Sequence, residues 1–163
     1  MDELAADLGR RLKAARRMLV TAESCTGGWA AQAVTAVAGS SDWFERGFVT
    51  YSNAAKSELL GVSAGTLARH GAVSEQTARE MADGALARSH ASVALAITGV
   101  AGPAGGSAEK PVGTVCFAWA ASAAGARSET MLFAGDREAV RRQSVIHALR
   151  GVMRLLDQIG PAE

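Results

Sequence analysis

The sequence predicts an α/β fold, a three-layer α/β/α sandwich around a central sheet that is mostly parallel but mixed. Short apolar runs typical of buried strands alternate along the chain with segments whose apolar residues recur every three or four positions, as in helices. The last two strand-like runs are joined by a short Ala/Gly link, which indicates an antiparallel hairpin. The chain has 163 residues, of which 48% are hydrophobic and 20% charged. We therefore expect one domain over residues 1–163.

The first half of the chain predicts three helices and two strands. The apolar side chains of the first helix share one face, at Leu4, Leu8, Leu12 and Ala15. A buried strand, MLVTA at 18–22, follows, and then an Ala-rich helix over 27–39. The run FVTYS at 48–52 is rich in β-branched and aromatic residues and predicts the second strand. A short helix over 53–62 comes next, with Asn53 as its N-cap.

The second half predicts two helices and three strands. Ser74 is expected to cap a helix whose apolar stripe comprises Ala78, Met81, Ala82, Ala85 and Leu86. The unbroken apolar run at 92–98 predicts a central strand buried on both faces. The hairpin strands are expected at 114–120 and 128–134. Asp136 is expected to cap a long final helix. The apolar stripe of that helix is either a core face or a dimer seam, and its residues are Val145, Leu149, Val152, Leu156 and Ile159.

Charge and composition argue against several kinds of partner. With 17 basic and 16 acidic residues the formal net charge is +1, which gives no electrostatic footprint for nucleic acid or an anionic membrane. Cys25 and Cys116 are too few for a disulfide framework, and no His/Cys cluster indicates a metal site. The N-terminal segment contains acidic residues and no long apolar stretch, and no run reaches membrane-spanning length. We therefore expect a cytoplasmic location.

The octapeptide TAESCTGG at 21–28 is the first candidate site. It joins a buried strand to a helix, and ligands of α/β folds gather at the carboxyl ends of strands. Its main-chain N–H groups and the positive end of the helix dipole favour negative charge. Gly27 and Gly28 allow a substrate to approach the backbone closely. A purely structural interpretation also fits, in which Ser24 or Thr26 is a helix N-cap and the glycines allow helix–sheet packing.

A serine in this turn requires a base, and the motif YSNAAK, which begins at Tyr51, supplies candidates. A lysine partly removed from water can be neutral near pH 7 and accept the serine proton. A tyrosine hydroxyl can hold that lysine or relay the proton. Ser24, Lys56 and Tyr51 therefore form a coherent catalytic set, although an arbitrary lysine or tyrosine is more often a surface or packing residue. Cys25 is the rival nucleophile. Glu23 either orients Lys56, binds a substrate hydroxyl, or is an exposed acid of the first helical turn.

Two further segments suit an anionic ligand. The glycine-rich loop over 97–113 directly follows the central strand, and its N–H groups, with Thr98, Ser107 and Lys110, can close over an anionic or nucleotide-like ligand. The alternative is a surface crossover. Arg137 and Arg141 lie four residues apart near the start of the final helix. Such a pair suits a phosphate, and it suits a surface or intersubunit salt bridge equally well.

Five stretches of the sequence resemble the CinA C-terminal domain family, whose enzymatic members are nicotinamide mononucleotide amidases. They are TAESCTGG, GSSDWFERGFVTYSNAAKSELLGV, HGAVSEQTAREMADGA, ITGVAGPAGGSAEKPVGTV and GDREAVRRQ, and the resemblance runs from about residue 5 to about residue 157. The resemblance implies an α/β/α domain, usually a homodimer, that needs no metal or other cofactor. It also implies hydrolysis of the carboxamide of nicotinamide mononucleotide to nicotinic acid mononucleotide and ammonia.

The resemblance maps the nucleophile to Ser24 and its partners to Tyr51 and Lys56. The residues expected to bind the substrate or support the site are Glu23, Cys25, Thr26, Gly27, Gly28, Asn53, Thr98, Gly99, Gly106, Ser107, Arg137 and Arg141. Many family members carry an additional N-terminal domain associated with nucleotide pyrophosphatase activity, and that activity is not expected here. Two alternatives stay open: a non-catalytic nucleotide-binding or regulatory module, and a structural partner protein linked to competence or DNA repair.

Overall fold

Five strands and six α-helices follow one another along the chain, which the computed structural model describes from Met1 to Glu163. Their bounds are α1 Asp2–Ala14, β1 Leu19–Glu23, α2 Trp29–Thr35, β2 Phe44–Val49, α3 Asn53–Leu60, α4 Ala64–His70, α5 Glu75–Ala87, β3 Val93–Gly99, β4 Thr114–Ala121, β5 Gly125–Leu132 and α6 Arg137–Ile159. A 3₁₀ turn over Ser40–Asp42 precedes β2. None of the helices combines the length and the apolar character needed to cross a membrane.

The strands form one mixed sheet in the order β2-β1-β3-β4-β5. β1 pairs in parallel with both β2 and β3, whereas β4 pairs antiparallel with both β3 and β5. The predicted α/β architecture, the mixed sheet and the closing hairpin are confirmed. Of the four strand pairings, two are parallel and two are antiparallel. Because β2, β1 and β3 run in the same direction, the segments that follow them emerge at one edge of the sheet.

Helices cover both faces of the sheet, and alternate residues of β3 contribute to two cores. Leu95 and Ile97 belong to the core beneath α1, α2 and α6. Ala94 and Ala96 belong to the core beneath α3 and α5. The predicted burial of this central strand on both faces is therefore confirmed. The apolar stripe of α6 lies in the first core, so it is a core face, and its fully or nearly buried members are Val145, Leu149, Val152 and Leu156.

The caps at Ser74 and Asp136 are confirmed, whereas the predicted cap of α3 is wrong. Ser52 is the N-cap of α3, because its backbone is extended (φ −89°, ψ 162°) and its Oγ accepts a hydrogen bond from the Ala55 N–H. Asn53 is the first residue inside the helix. This one-residue shift matters for the site, because it places the chain just before α3 in an extended conformation beside β1.

The bounds of several elements differ from the predictions. β2 begins four residues before the predicted 48–52 and ends at Val49, and β5 begins three residues before the predicted 128–134. α2 starts at Trp29 and ends at Thr35, so it is shorter than the predicted 27–39. The short helix α4 was not predicted.

Candidate functional site

A cavity of about 260 Å³ opens where the segments following β2, β1 and β3 meet. The turn after β1, the β2–α3 connection, the end of β3 with its glycine-rich loop, and the start of α6 all contribute to its lining. The lining side chains and backbone belong to Ser24, Cys25, Tyr51, Asn53, Lys56, Ala72, Val73, Thr98–Gly102, Ala104, Gly105 and Arg137. Ser24, Tyr51 and Lys56, which are far apart in the sequence, thus reach the same cavity.

Ser24 and Lys56 are in direct contact on the floor of this cavity. The N–H of Ser24 donates to Ile97 O across the parallel pairing at 2.9 Å, which fixes the serine at the end of β1. Lys56 Nζ lies 3.1 Å from Ser24 Oγ. The same nitrogen donates to the main-chain carbonyls of Thr50, at 3.1 Å, and Tyr51, at 3.4 Å. The extended chain between β2 and α3 therefore surrounds the lysine head group with carbonyl oxygens.

Lys56 is only 1% exposed and forms no salt bridge. Burial of the side chain lowers the pKa of Lys56, because the ammonium form loses its hydration. A neutral amine has two N–H donors and one lone pair. The carbonyls of Thr50 and Tyr51 can accept the two N–H groups, which leaves the lone pair for the hydroxyl of Ser24. This arrangement suits a base.

The side chain of Tyr51 lies at the mouth of the cavity and does not contact Lys56. Its ring is 62% exposed, and its hydroxyl accepts a hydrogen bond from Arg137 Nη2 at 3.1 Å. Arg137 Nη1 also donates to Gly102 O at 2.9 Å. The sequence-based expectation that the tyrosine hydroxyl holds the lysine is thus not met, because it is the carbonyl of Tyr51 that contacts Lys56.

Glu23 lies beneath the turn and is fully buried. It is therefore not an exposed acid, and it neither orients Lys56 nor faces a substrate hydroxyl. Its carboxylate accepts hydrogen bonds from Thr26 Oγ1 at 2.7 Å and from the N–H groups of Ala30, at 2.7 Å, and Ala31, at 3.1 Å. These are free donors at the start of α2, where the helix dipole favours an anion. Glu23 and Thr26 therefore organise the turn from below, and their side chains are not available to a ligand.

Cys25, Gly27 and Gly28 complete the turn between β1 and α2. The two glycines have φ values of 59° and 99°, in the left-handed region that strains other residues. The Cys25 thiol is buried, and burial raises its pKa to about 12. The thiol is therefore protonated near neutral pH and is a poor nucleophile, which favours Ser24 over Cys25 as the reactive group.

The glycine-rich loop contributes main-chain groups to the cavity. Thr98 is buried and its Oγ1 donates to Ala72 O at 2.8 Å, while Gly99 lines the cavity beside it. The N–H groups of four lining residues make no hydrogen bond within the protein, and these residues are Ala101, Gly102, Ala104 and Gly105. Gly106 and Ser107 do not line the cavity, because Ser107 forms a separate turn with Lys110. The alanines were missed because the sequence gives no side-chain signal for a main-chain contact.

Arg141 lies behind the turn, outside the cavity lining. Its Nε donates to Cys25 O at 3.0 Å and its Nη2 donates to Thr26 O at 3.1 Å. The guanidinium carbon lies 5.4 Å from the centre of the Trp29 ring. The expected pairing of Arg137 and Arg141 on one ligand is therefore not found. Asn53 is exposed at the rim of the cavity.

Comparison with known proteins places this site in a family. The family model described as the CinA C-terminal domain matches residues 1–156. The chain belongs to the CinA C-terminal domain family. The resemblance inferred from the five sequence stretches is thus confirmed.

Two relatives of this CinA-family chain are similar along nearly their whole length. The chain is 55% identical over 148 residues to the nicotinamide-nucleotide amidohydrolase PncC of Escherichia coli, covering 91% of this chain and 90% of the relative. It is 53% identical to the PncC protein of Pseudomonas putida, covering 93% and 94%. Among solved structures, the competence/damage inducible protein CihA from Agrobacterium tumefaciens has a TM-score of 0.92 at 48% identity, with 94% of each chain covered.

Proposed function

We propose that this CinA-family chain is a nicotinamide-nucleotide amidohydrolase that converts nicotinamide mononucleotide and water to nicotinic acid mononucleotide and ammonia. The observation that carries the proposal is the 3.1 Å contact between Ser24 Oγ and Nζ of the buried Lys56, which has no carboxylate partner. A serine beside a desolvated lysine is a nucleophile with its base, as acyl transfer from an amide requires. The PncC relatives, at 53–55% identity, supply the substrate class.

In the proposed first half-reaction, Lys56 removes the proton of Ser24 while Oγ attacks the carboxamide carbon. The resulting tetrahedral intermediate carries a negative oxygen. Lys56, now an ammonium, gives its proton to the amide nitrogen, the C–N bond breaks, and ammonia leaves. Ser24 is then esterified by the nicotinoyl group.

In the second half-reaction, Lys56 accepts a proton from water, whose oxygen attacks the ester carbon. The bond between this carbon and Ser24 Oγ breaks, and the serine regains its proton from Lys56. The product acid gives its remaining proton to the solvent and is released as the carboxylate. General acid–base catalysis of this kind typically contributes about 10²–10⁴-fold to the rate.

The N–H groups of Cys25 and Thr26 are the proposed oxyanion donors. Neither donates to another residue of the protein. They belong to the first and second residues after Ser24, of which Cys25 lines the cavity. Main-chain N–H groups next to a nucleophilic serine stabilise the charge that develops on the carbonyl oxygen. This assignment uses the turn for chemistry and leaves the substrate phosphate to another part of the cavity.

Arg137 and the glycine-rich loop are the proposed phosphate-binding groups. No Asp or Glu lines the cavity, and Arg137 has no carboxylate partner. The unpaired N–H groups of Ala101–Gly102 and Ala104–Gly105 are suited to an anion. The exposed ring of Tyr51 can pack against the positively charged pyridinium of the substrate. The homodimer and the cytoplasmic location remain predictions. Light scattering would test whether the chain is a dimer.

Ammonia release from nicotinamide mononucleotide, measured for the wild type beside Ser24→Ala, tests the proposed function. We expect release by the wild type and none above background in the variant, because alanine has no nucleophilic oxygen. Cys25→Ala serves as the matched variant at the adjacent rival nucleophile. It keeps the main-chain N–H, so we expect it to remain active.

Two outcomes would overturn the proposal. An inactive Cys25→Ala beside an active Ser24→Ala would assign the nucleophile to the thiol. A wild type that releases no ammonia, although nicotinamide mononucleotide raises its melting temperature, would instead support the binding-module alternative, with TAESCTGG as a ligand cradle.

A further inference from the structure

We propose that Arg141 is a positioning residue that fixes the direction of the two oxyanion-binding N–H groups, those of Cys25 and Thr26. This inference rests on the proposed amidohydrolase function. The sequence suggested that Arg141 contacts the substrate. The proposal instead assigns to it an effect on the chemical step.

The side chain of Arg141 bridges α6 and the turn after β1 through main-chain atoms only. Two of its nitrogens donate to consecutive carbonyls, those of Cys25 and Thr26, at 3.0 and 3.1 Å. No carboxylate pairs with Arg141, and its guanidinium stacks over Trp29. The planar fork of the guanidinium is suited to holding two acceptors at a fixed mutual angle.

The first of these hydrogen bonds fixes the Thr26 N–H. A peptide unit is planar and trans, so its C=O and N–H point in opposite directions. Cys25 O and the Thr26 N–H belong to the same unit. Because Arg141 holds the carbonyl at 3.0 Å, the N–H of Thr26 points away from Arg141, and it makes no hydrogen bond within the protein.

The second hydrogen bond fixes the Cys25 N–H through one further step. Thr26 O, held by Arg141, belongs to the peptide unit of the Gly27 N–H. That N–H donates to Ser24 O at 3.0 Å. Ser24 O in turn shares its unit with the Cys25 N–H, whose direction is thereby determined. One guanidinium thus orients both free N–H groups next to the nucleophile.

Glu23 holds the other side of the same turn, so Arg141 is not needed to form it. The carboxylate binds Thr26 Oγ1 and the start of α2. We therefore expect the turn to persist without Arg141 but to sample other peptide orientations. Misplacing oxyanion donors lowers kcat, since these contacts strengthen only in the transition state.

The test is steady-state kinetics of Arg141→Gln and Arg141→Lys with nicotinamide mononucleotide, beside Arg142→Gln. Arg142 is exposed and makes no hydrogen bond or salt bridge, so its variant is the matched control. We expect Arg141→Gln to lower kcat by about 10- to 100-fold, less than the full loss of a donor, with KM within about threefold of the wild type. Lysine keeps the positive charge and N–H donors but lacks the planar fork, so Arg141→Lys should retain more activity than Arg141→Gln.

Two readouts separate positioning from a merely structural role. The melting temperatures of the Arg141 variants should stay close to that of Arg142→Gln. Added guanidinium ion should partly restore kcat to Arg141→Ala and leave the wild type unchanged. A rise in KM with unchanged kcat would overturn the proposal in favour of phosphate binding, and an unfolded Arg141→Lys would overturn it in favour of a structural contact. An inactive wild type would instead refute the proposed function itself, which the Ser24→Ala comparison reveals separately.

Discussion

Lys56 is the proposed base of the site because of the groups that surround it. Fully buried lysines are rare unless they are paired with an acid, and the nearest buried acid, Glu23, is engaged with α2 instead. Carbonyl oxygens of Thr50 and Tyr51 hold the amine without adding a negative charge. The site therefore keeps the amine hydrogen-bonded while favouring its neutral form.

The pH dependence of turnover should report on this lysine. Because burial lowers the pKa of Lys56, kcat should rise with pH through a value below the ordinary lysine pKa of about 10.4. Turnover is lost as the pH falls below that value, since the base is then protonated. Lys56→Met should remove turnover by at least about 10²-fold at every pH. Lys13→Met, a change at an exposed lysine paired with Asp42, is the control. Near-normal kcat in Lys56→Met would remove the lysine from the mechanism.

At the residue scale, the meeting of Ser24, Tyr51 and Lys56 in one cavity was predictable from the sequence. The partners of the Tyr51 and Glu23 side chains and the main-chain contacts were not. Ser24 and Lys56 were predicted as nucleophile and base because a serine needs a base and few candidates exist, and the structure brings the two side chains within 3.1 Å. The carbonyl of Tyr51 and the N–H groups of the glycine-rich loop carry no residue-specific signal. The contact of Arg141 with two carbonyls was likewise invisible, because it depends on the packing of α6 behind the turn.

At the scale of elements, the strength of the apolar pattern decided which predictions succeeded. β3 and β4 are buried over almost their whole length and were located closely. β2 lies at the edge of the sheet, and its first residues, FERG, lack a strand pattern, so its start was missed. α4 has seven residues, of which only Thr66 is buried, and therefore offers no apolar stripe.

Two helical glycines should respond in opposite ways to alanine. A Cβ at Gly151 in α6 would lie 2.0 Å from the ring of Trp119, whose Nε1 donates to Ala148 O. Gly151→Ala should therefore destabilise the protein by about 1–3 kcal/mol or more through overpacking. Gly65 in α4 is exposed and has only ordinary contacts around its Cβ position. Gly65→Ala should stabilise by up to about 1 kcal/mol, because alanine has the higher helix propensity.

Urea unfolding of both variants measures these changes. Equal effects at the two positions would show that the approach of α6 to Trp119 is looser than the structure has it.

For the whole molecule, the order of the strands determines where the site lies. Three parallel strands, β2, β1 and β3, end at one edge, and each is followed by a segment that enters the cavity. The alternation of strands and helices was enough to predict this edge. The way in which α6 returns to the same edge, with Arg137 at the mouth and Arg141 behind the turn, depends on the packing of its apolar stripe and was not predictable from spacing.

The free energy of unfolding of the whole protein should depend on pH through the pKa of the buried Lys56. The pKa of Lys56 is lower in the folded than in the unfolded chain, so the unfolded chain binds more protons between these two values. The free energy of unfolding therefore rises with pH across that window. Below the folded pKa the full destabilisation is present, and above the ordinary lysine pKa of about 10.4 it is absent. Lys56→Met lacks this contribution, although it also loses the hydrogen bonds to two carbonyls.

The stability of Lys56→Met relative to the wild type should consequently fall as the pH rises toward about 10. Urea unfolding of both proteins over a pH series from about 6 to about 10 measures the difference at each pH, and Lys13→Met corrects for the loss of a lysine charge at the surface. Because the prediction concerns a slope, it holds whatever constant offset the lost hydrogen bonds introduce. Parallel pH profiles for Lys56→Met and the wild type would mean that Lys56 has the same pKa folded and unfolded, and the serine would then lack its neutral base.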